Sequence, residues 1–206
     1  MGYYIFSCGI NTAEILSVFG CKDTKVQDKV KASGIFKNYS DFLPEGYKTT
    51  PAKALDDIIN SNEYDYNSSF AYGYALISIC MALGKKVPYN QEIKLGFETD
   101  YINKALKEDF GINLEIEEIL LPDNTTFPIP PVKDWPLIGV ISNNKLQILQ
   151  EIFSKINITD ERIEELTEGE TEEEEEKGYA YEHIRGIMEN INFCLENNLD
   201  LVSFCH

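Results

Sequence analysis

Basic residues are scarce in this sequence. Eighteen Lys and Arg stand against 35 Asp and Glu, for a formal net charge of −17 and a pI near 4.4. Nucleic acid and anionic membrane are held by Lys and Arg that displace counterions, so neither is an expected partner. A basic protein is what such a field attracts. Histidine is scarcer still, with only His183 and His206. Nucleophilic catalysis by Cys or Ser needs a base beside the nucleophile. The adjacent pair Cys205-His206 would point to opposite faces of a strand, so it forms no dyad. The five cysteines, Cys8, Cys21, Cys80, Cys194 and Cys205, contain no CxxC pair. Scattered thiols and two histidines do not supply a closed zinc set. No GKS/T phosphate loop occurs; Gly73, in "YGY", falls inside a helical stretch and reads as a point of close helix packing. No catalytic residue, metal or cofactor is expected.

Long apolar runs are also missing. None approaches the roughly 20 residues of a membrane helix. No basic segment leads into the first apolar residues, and Phe6 stands where an acylation pattern needs Ser or Thr. The expectation is a cytoplasmic chain with reduced, mostly buried thiols. The Asn-x-Ser/Thr sites at Asn38, Asn67, Asn124 and Asn157 then carry no glycan.

What is present is core material: 43% of the 206 residues are hydrophobic, enough for one domain over 1–206. Tyr3 to Ile10 reads as a strand and Ala13 to Phe19 as a helix opened by Asn11. Asp23 to Ala32 reads as a surface helix stopped by Gly34. Thr50-Pro51 starts a helix, since Pro suits the first helical position. "SSFAYGYALISICMALGKK" is apolar on many sides and therefore central. Thr99 to Phe110 is helical. Leu114 to Leu121 fits helix or strand equally. Five prolines between Pro122 and Pro136 demand an extended, ordered loop, with Trp135 pinning it to the core. Leu137 to Ile141 is a buried strand, followed by an amphipathic helix to Ile156. The last helix spans Tyr179 to Asn197, and "LDLVSFC" closes the chain as a strand. The fold class is α+β: a helix-rich single domain with a small mixed or antiparallel sheet containing both terminal strands.

Charge is not spread evenly. Asp160 to Glu176 holds eleven acids and one base, Arg162. Repulsion keeps such a run extended and solvated, and 160–178 is expected as a flexible segment within the domain, either a mobile surface loop or a frayed helix N-terminus. Its glutamates precede a helix, where carboxylates are favoured. The interleaving of a Ca²⁺ loop is absent. As a binding surface the candidates are Glu172, Glu173, Glu174, Glu175 and Glu176. Tyr64 and Tyr66 join them as exposed aromatic anchors, because Tyr gives contact area at low entropic cost. His183 flanks the buried side of the last helix and reads as half-buried or capping.

Five segments together resemble an uncharacterised bacterial family, a domain of unknown function. They are "MGYYIF", "LSVFGCKD", "YGYALISICMALG", "WPLIGVIS" and "LDLVSFCH". The resemblance runs end to end and implies a small cytosolic bacterial protein. It also implies an association with toxin or phage-defence loci, and it carries over no catalytic residue. The expected role is a non-enzymatic binding protein, an immunity or antitoxin type of inhibitor for a basic protein partner. The alternatives are a small enzyme or ligand binder, with a pocket between the central helix and the sheet, and a structural or homo-oligomeric subunit.

Overall fold

A computed structural model describes residues 2–123 and 126–206; Met1 and the site at Asn124 lie outside the described residues. Four strands order as β2-β1-β4-β3, antiparallel at each pairing. They are β1 (Tyr4–Ile10), β2 (Ile93–Lys94), β3 (Leu137–Ile141) and β4 (Asp200–Cys205). The two terminal strands form the middle of the sheet, in register from Ile5↔Cys205 to Ile10↔Asp200. The two-residue β2 had no period to betray it in the sequence.

Side chains alternate across a pleated strand, and here both faces are covered. Phe6, Cys8, Ile10, Val140, Val202 and Phe204 pack with an N-terminal helical layer. That layer comprises α1 (Thr12–Leu16), α2 (Thr24–Ala32), α3 (Gly34–Tyr39), α4 (Pro51–Asn60) and α5 (Ser69–Leu83). Ile5, Ile141, Leu201 and Cys205 face the other way, into a second core. It is closed by α6 (Glu98–Glu108), α7 (Ile116–Leu120), α8 (Asn143–Phe153), α9 (Asp160–Thr167) and α10 (Glu172–Glu196). The α+β reading therefore stands, as a sheet between two helical layers.

Local chemistry explains the elements. Asn11 caps α1 by accepting from the N–H of Ala13 and Glu14, and Thr50 caps α4 ahead of Pro51. Helix α5 is buried without a break from Ala71 to Cys80, as befits a central helix. Gly34 does not stop α2. Ser33 leaves helical geometry, and its hydroxyl accepts from Phe36 N–H to start α3. The ambiguous Leu114–Leu121 segment resolves into the single-turn α7. At Gly73 the closest approach is to the Pro-rich loop: the Cδ of Pro136 lies 2.8 Å from where its Cβ would stand. Trp135 does pin that loop, stacking on Tyr3 with ring centroids 3.7 Å apart.

The loop before α5 is held by a buried polar network. Asp57, 3% exposed, is held by Lys53, by Asn62 Nδ2 at 3.0 Å and by the Tyr72 hydroxyl at 3.2 Å. That hydroxyl also accepts the Asp65 N–H at 2.8 Å, and burial pushes its pKa up to about 12. Tyr72→Phe strands the Asp65 N–H and removes one donor from a buried carboxylate. We expect a loss of about 1–3 kcal/mol in urea unfolding, with an unchanged m-value.

Candidate functional site

Of the two expected forms of the acid segment, loop or helix N-terminus, the structure has the helical one, with both helices capped. Thr159 opens α9 by accepting from Arg162 N–H. Thr171 opens α10 through a reciprocal capping box with Glu174, so the last helix starts at Glu172 and not at Tyr179. Four glutamates occupy the first turn of α10, where the helix dipole offsets part of their repulsion. Gly178 lets the two helices close: an added Cβ would stand 2.9 Å from the backbone N of Thr167. Ile163, Leu166, Ala180 and Tyr181 seal the seam from within.

The glutamate run is largely occupied by its own molecule. Lys104 Nζ lies 3.0 Å from Glu173 Oε1, and this contact pulls the Glu173 pKa below its ordinary value. Glu176 accepts from the Tyr101 hydroxyl at 2.7 Å, raising that phenol to about 12, and Glu175 accepts from Tyr179 at 3.0 Å. Glu174 serves the cap. The carboxylates without an ion pair or hydrogen bond among the described residues are Glu161, Glu164, Glu168, Glu170 and Glu172. The free charge thus lies mainly on α9 and the turn, four of these five being outside the Glu172–Glu176 run.

Tyr64 and Tyr66 do not join this surface. They belong to the N-terminal layer, on the opposite side of the sheet from α9 and α10. They are also not an exposed pair. Tyr66 is 70% exposed, whereas Tyr64 is partly buried on Tyr72, with ring centroids 4.9 Å apart. Both had looked exposed because the surrounding residues are polar; the Tyr72 ring, eight positions away, decides otherwise.

His183 is more deeply set than its spacing suggested, at 6% exposure. Its Nδ1 lies 2.7 Å from the Tyr89 hydroxyl and its Nε2 lies 3.4 Å from Glu98 Oε2. Neutral imidazole satisfies both, accepting at Nδ1 and donating at Nε2. Asn190 clamps the Tyr89 backbone, its Oδ1 accepting at 2.9 Å and its Nδ2 donating at 2.8 Å. The Tyr89 ring rests on Gly186, where a Cβ would come within 2.1 Å of it. Sequence reasoning missed Tyr89, Glu98 and Asn190, which are far apart along the chain and carry no motif. The space beside them, bounded by Ile5, Ser7, Leu120 and Ile187, is about 10 Å³. That is close to one water and no room for a substrate. The chain Glu98–His183–Tyr89 is a lock between the loop ahead of β2 and α10.

The lock sets a pH dependence. Burial, opposed by Glu98 and Glu182, holds the His183 pKa below 6.5. The unfolded chain therefore takes a proton that the folded one refuses, and stability is lost as pH falls below about 6.5. His206, also lowered by burial, acts in the same direction. We expect the Tm to drop between pH 7 and pH 5, and His183→Gln to flatten that slope while leaving the share of His206. The C-terminal histidine is packed edge-on against Tyr39, with its ring nitrogens 3.1 and 3.2 Å from that hydroxyl. Of the cysteines, only Cys21 is exposed; burial raises the thiols of Cys8 and Cys194 to about 12 and that of Cys205 to about 11, which keeps them unreactive. Among the described residues, no group of three or more His, Cys, Asp or Glu is placed to hold a metal ion, and no helix is long and apolar enough to cross a membrane.

The chain belongs to the family described as domain of unknown function DUF7691, which matches residues 1–206. No curated protein and no solved structure matches it.

Proposed function

We propose that this member of a domain-of-unknown-function family is a non-enzymatic binding protein that docks a basic protein partner on the α9–α10 hairpin. One observation carries the reading: five carboxylates without a partner among the described residues lie exposed along one helical hairpin. The distribution of charge points the same way. Residues 1–90 hold nine lysines and nine acids, while residues 91–206 hold nine Lys and Arg and 26 acids. The whole net charge of −17 therefore belongs to the second part of the chain. Such a field speeds encounter with a basic surface and selects against acidic ones.

The finer proposal is an inhibitor of the immunity or antitoxin type, covering the basic site of a toxin or defence effector in the bacterial cytoplasm. Five free cysteines, four of them buried, support a reducing compartment. The test is affinity capture from the native host at low and high salt, with the bound masses identified. A basic partner held at low salt and shed at high salt supports docking on the acidic corner. A partner indifferent to salt, or an acidic one, overturns it.

A groove favours a second reading, a ligand binder. Leu76 of α5, Leu137 and Ile138 of β3, and Phe127, Ile129 and Val132 of the Pro-rich loop line about 300 Å³ between the central helix and the sheet. That is the lower end of the size of small-molecule pockets, and the lining suits an apolar compound. A thermal-shift screen with apolar ligands, in which one raises the Tm and Leu76→Trp abolishes the shift, would move the assignment to this groove.

A further inference from the structure

We propose that the chain forms a two-fold symmetric dimer with a second copy of itself, through an aromatic surface on the N-terminal layer. The segment joining α3 to α4 exposes Phe42, Leu43 and Tyr47 at 48%, 47% and 41%. These rings are not loose. Phe42 lies edge-on to Phe70 and Tyr74 at 5.8 and 5.7 Å, Tyr47 meets Phe70 at 4.8 Å, and Tyr39 stacks on Tyr74 at 4.7 Å. A contiguous set of rings that brace one another is a preformed surface, and burying it on a partner costs little side-chain entropy. Single exposed apolar residues need no such account; a braced group does.

Charge identifies the occupant. Residues 1–90 are neutral overall, whereas the rest of the chain carries the full −17. Two copies meeting through their acidic parts repel each other, and meeting through the aromatic face they do not. The rim of the face is self-complementary as well. Lys37 and Lys48 accompany Asp41 and Glu45, all four exposed and none in an ion pair among the described residues. An isologous contact uses the same patch twice, so a rim with two charges of each sign offers each copy both lysines and acids to pair with those of the other. The acidic hairpins then remain uncovered on both copies.

Sedimentation velocity of the full chain between about 1 and 100 µM tests this. The expected result is a species of twice 23.5 kDa that persists as salt rises, since the rings and not the screened rim charges hold it. Phe42→Asp with Tyr47→Asp should weaken the dimer at least about tenfold while leaving the circular dichroism spectrum in place, with a modest fall in Tm from the lost contacts to Phe70 and Tyr74. Glu→Gln changes at Glu161, Glu164, Glu168, Glu170 and Glu172 should leave it intact. A second route does not disturb the rings: Lys37→Glu/Lys48→Glu and Asp41→Lys/Glu45→Lys chains should each self-associate weakly and pair with each other when mixed. A wild-type monomer throughout, a dimer indifferent to the ring variant, complete dissociation by salt, or an open series of higher oligomers would overturn the proposal.

Discussion

Phe204→Ala is expected to destabilise the protein by about 3–5 kcal/mol, the range for deleting a fully buried ring. Phe204 has 0% exposure and stands one residue from the end of β4, opposite Phe6 of β1 and Ile138 of β3. Its ring lies 5.6 Å from that of Phe6, inside the core that joins the sheet to the N-terminal helices. Neighbours on two strands and in a helical layer cannot all collapse into the space. For a chain of this length the matching fall in Tm is roughly 10 °C. Phe204→Leu should recover most of it by refilling the volume. A loss under about 1 kcal/mol for the Ala variant would mean that the N-terminal layer does not close on the sheet as described.

The second large effect concerns binding. Glu161, Glu164, Glu168, Glu170 and Glu172, changed together to Gln, should weaken the basic partner about 10- to 100-fold at low salt. Solvated pairs contribute roughly 0.2–1 kcal/mol each, and five of them at about 0.3–0.5 kcal/mol sum to that range. The loss should appear mainly in the association rate and shrink as salt rises, because steering is what screening removes. Gln keeps helix propensity, and none of the five has a partner to lose among the described residues, so the fold should be unaffected. The contrasting variant is Glu173→Gln with Glu176→Gln. These side chains hold Lys104 and Tyr101, so their removal should loosen α6 from α10 before it alters binding. Equal affinity for the five-fold variant and the wild type would remove the acidic corner from the account.

Much of the architecture was legible in the residues. The Thr50-Pro51 start, the apolar length of α5, the β3 span Leu137–Ile141 and the closing strand all rest on local rules that tertiary packing did not overturn. Membership of both terminal strands in one sheet followed from their apolar patterning. The acid run was legible as charge, while its geometry was left between a loop and a helix N-terminus. Repulsion argued for an extended chain, while the capping box at Thr171 and the apolar inner faces of α9 and α10 made helix the better solution.

By itself, the sequence determined composition-level facts: the −17 charge and its place after residue 90, the lack of a zinc or phosphate motif, and the helix-rich α+β class. Those properties depend on residue identity and short spacing. Only the tertiary structure decided which charges are spoken for and which surfaces are shared. It spent Glu173 and Glu176 on Lys104 and Tyr101, put Tyr64 and the acidic corner on opposite sides of the sheet, and brought Tyr89 and Glu98 to His183. It also set Phe42 and Tyr47 of one loop against Phe70 of a helix, building the aromatic face. Each of these pairings joins residues more than twenty positions apart, where no helical or strand period operates. The sheet alone determines which layer a side chain enters and whom it meets there.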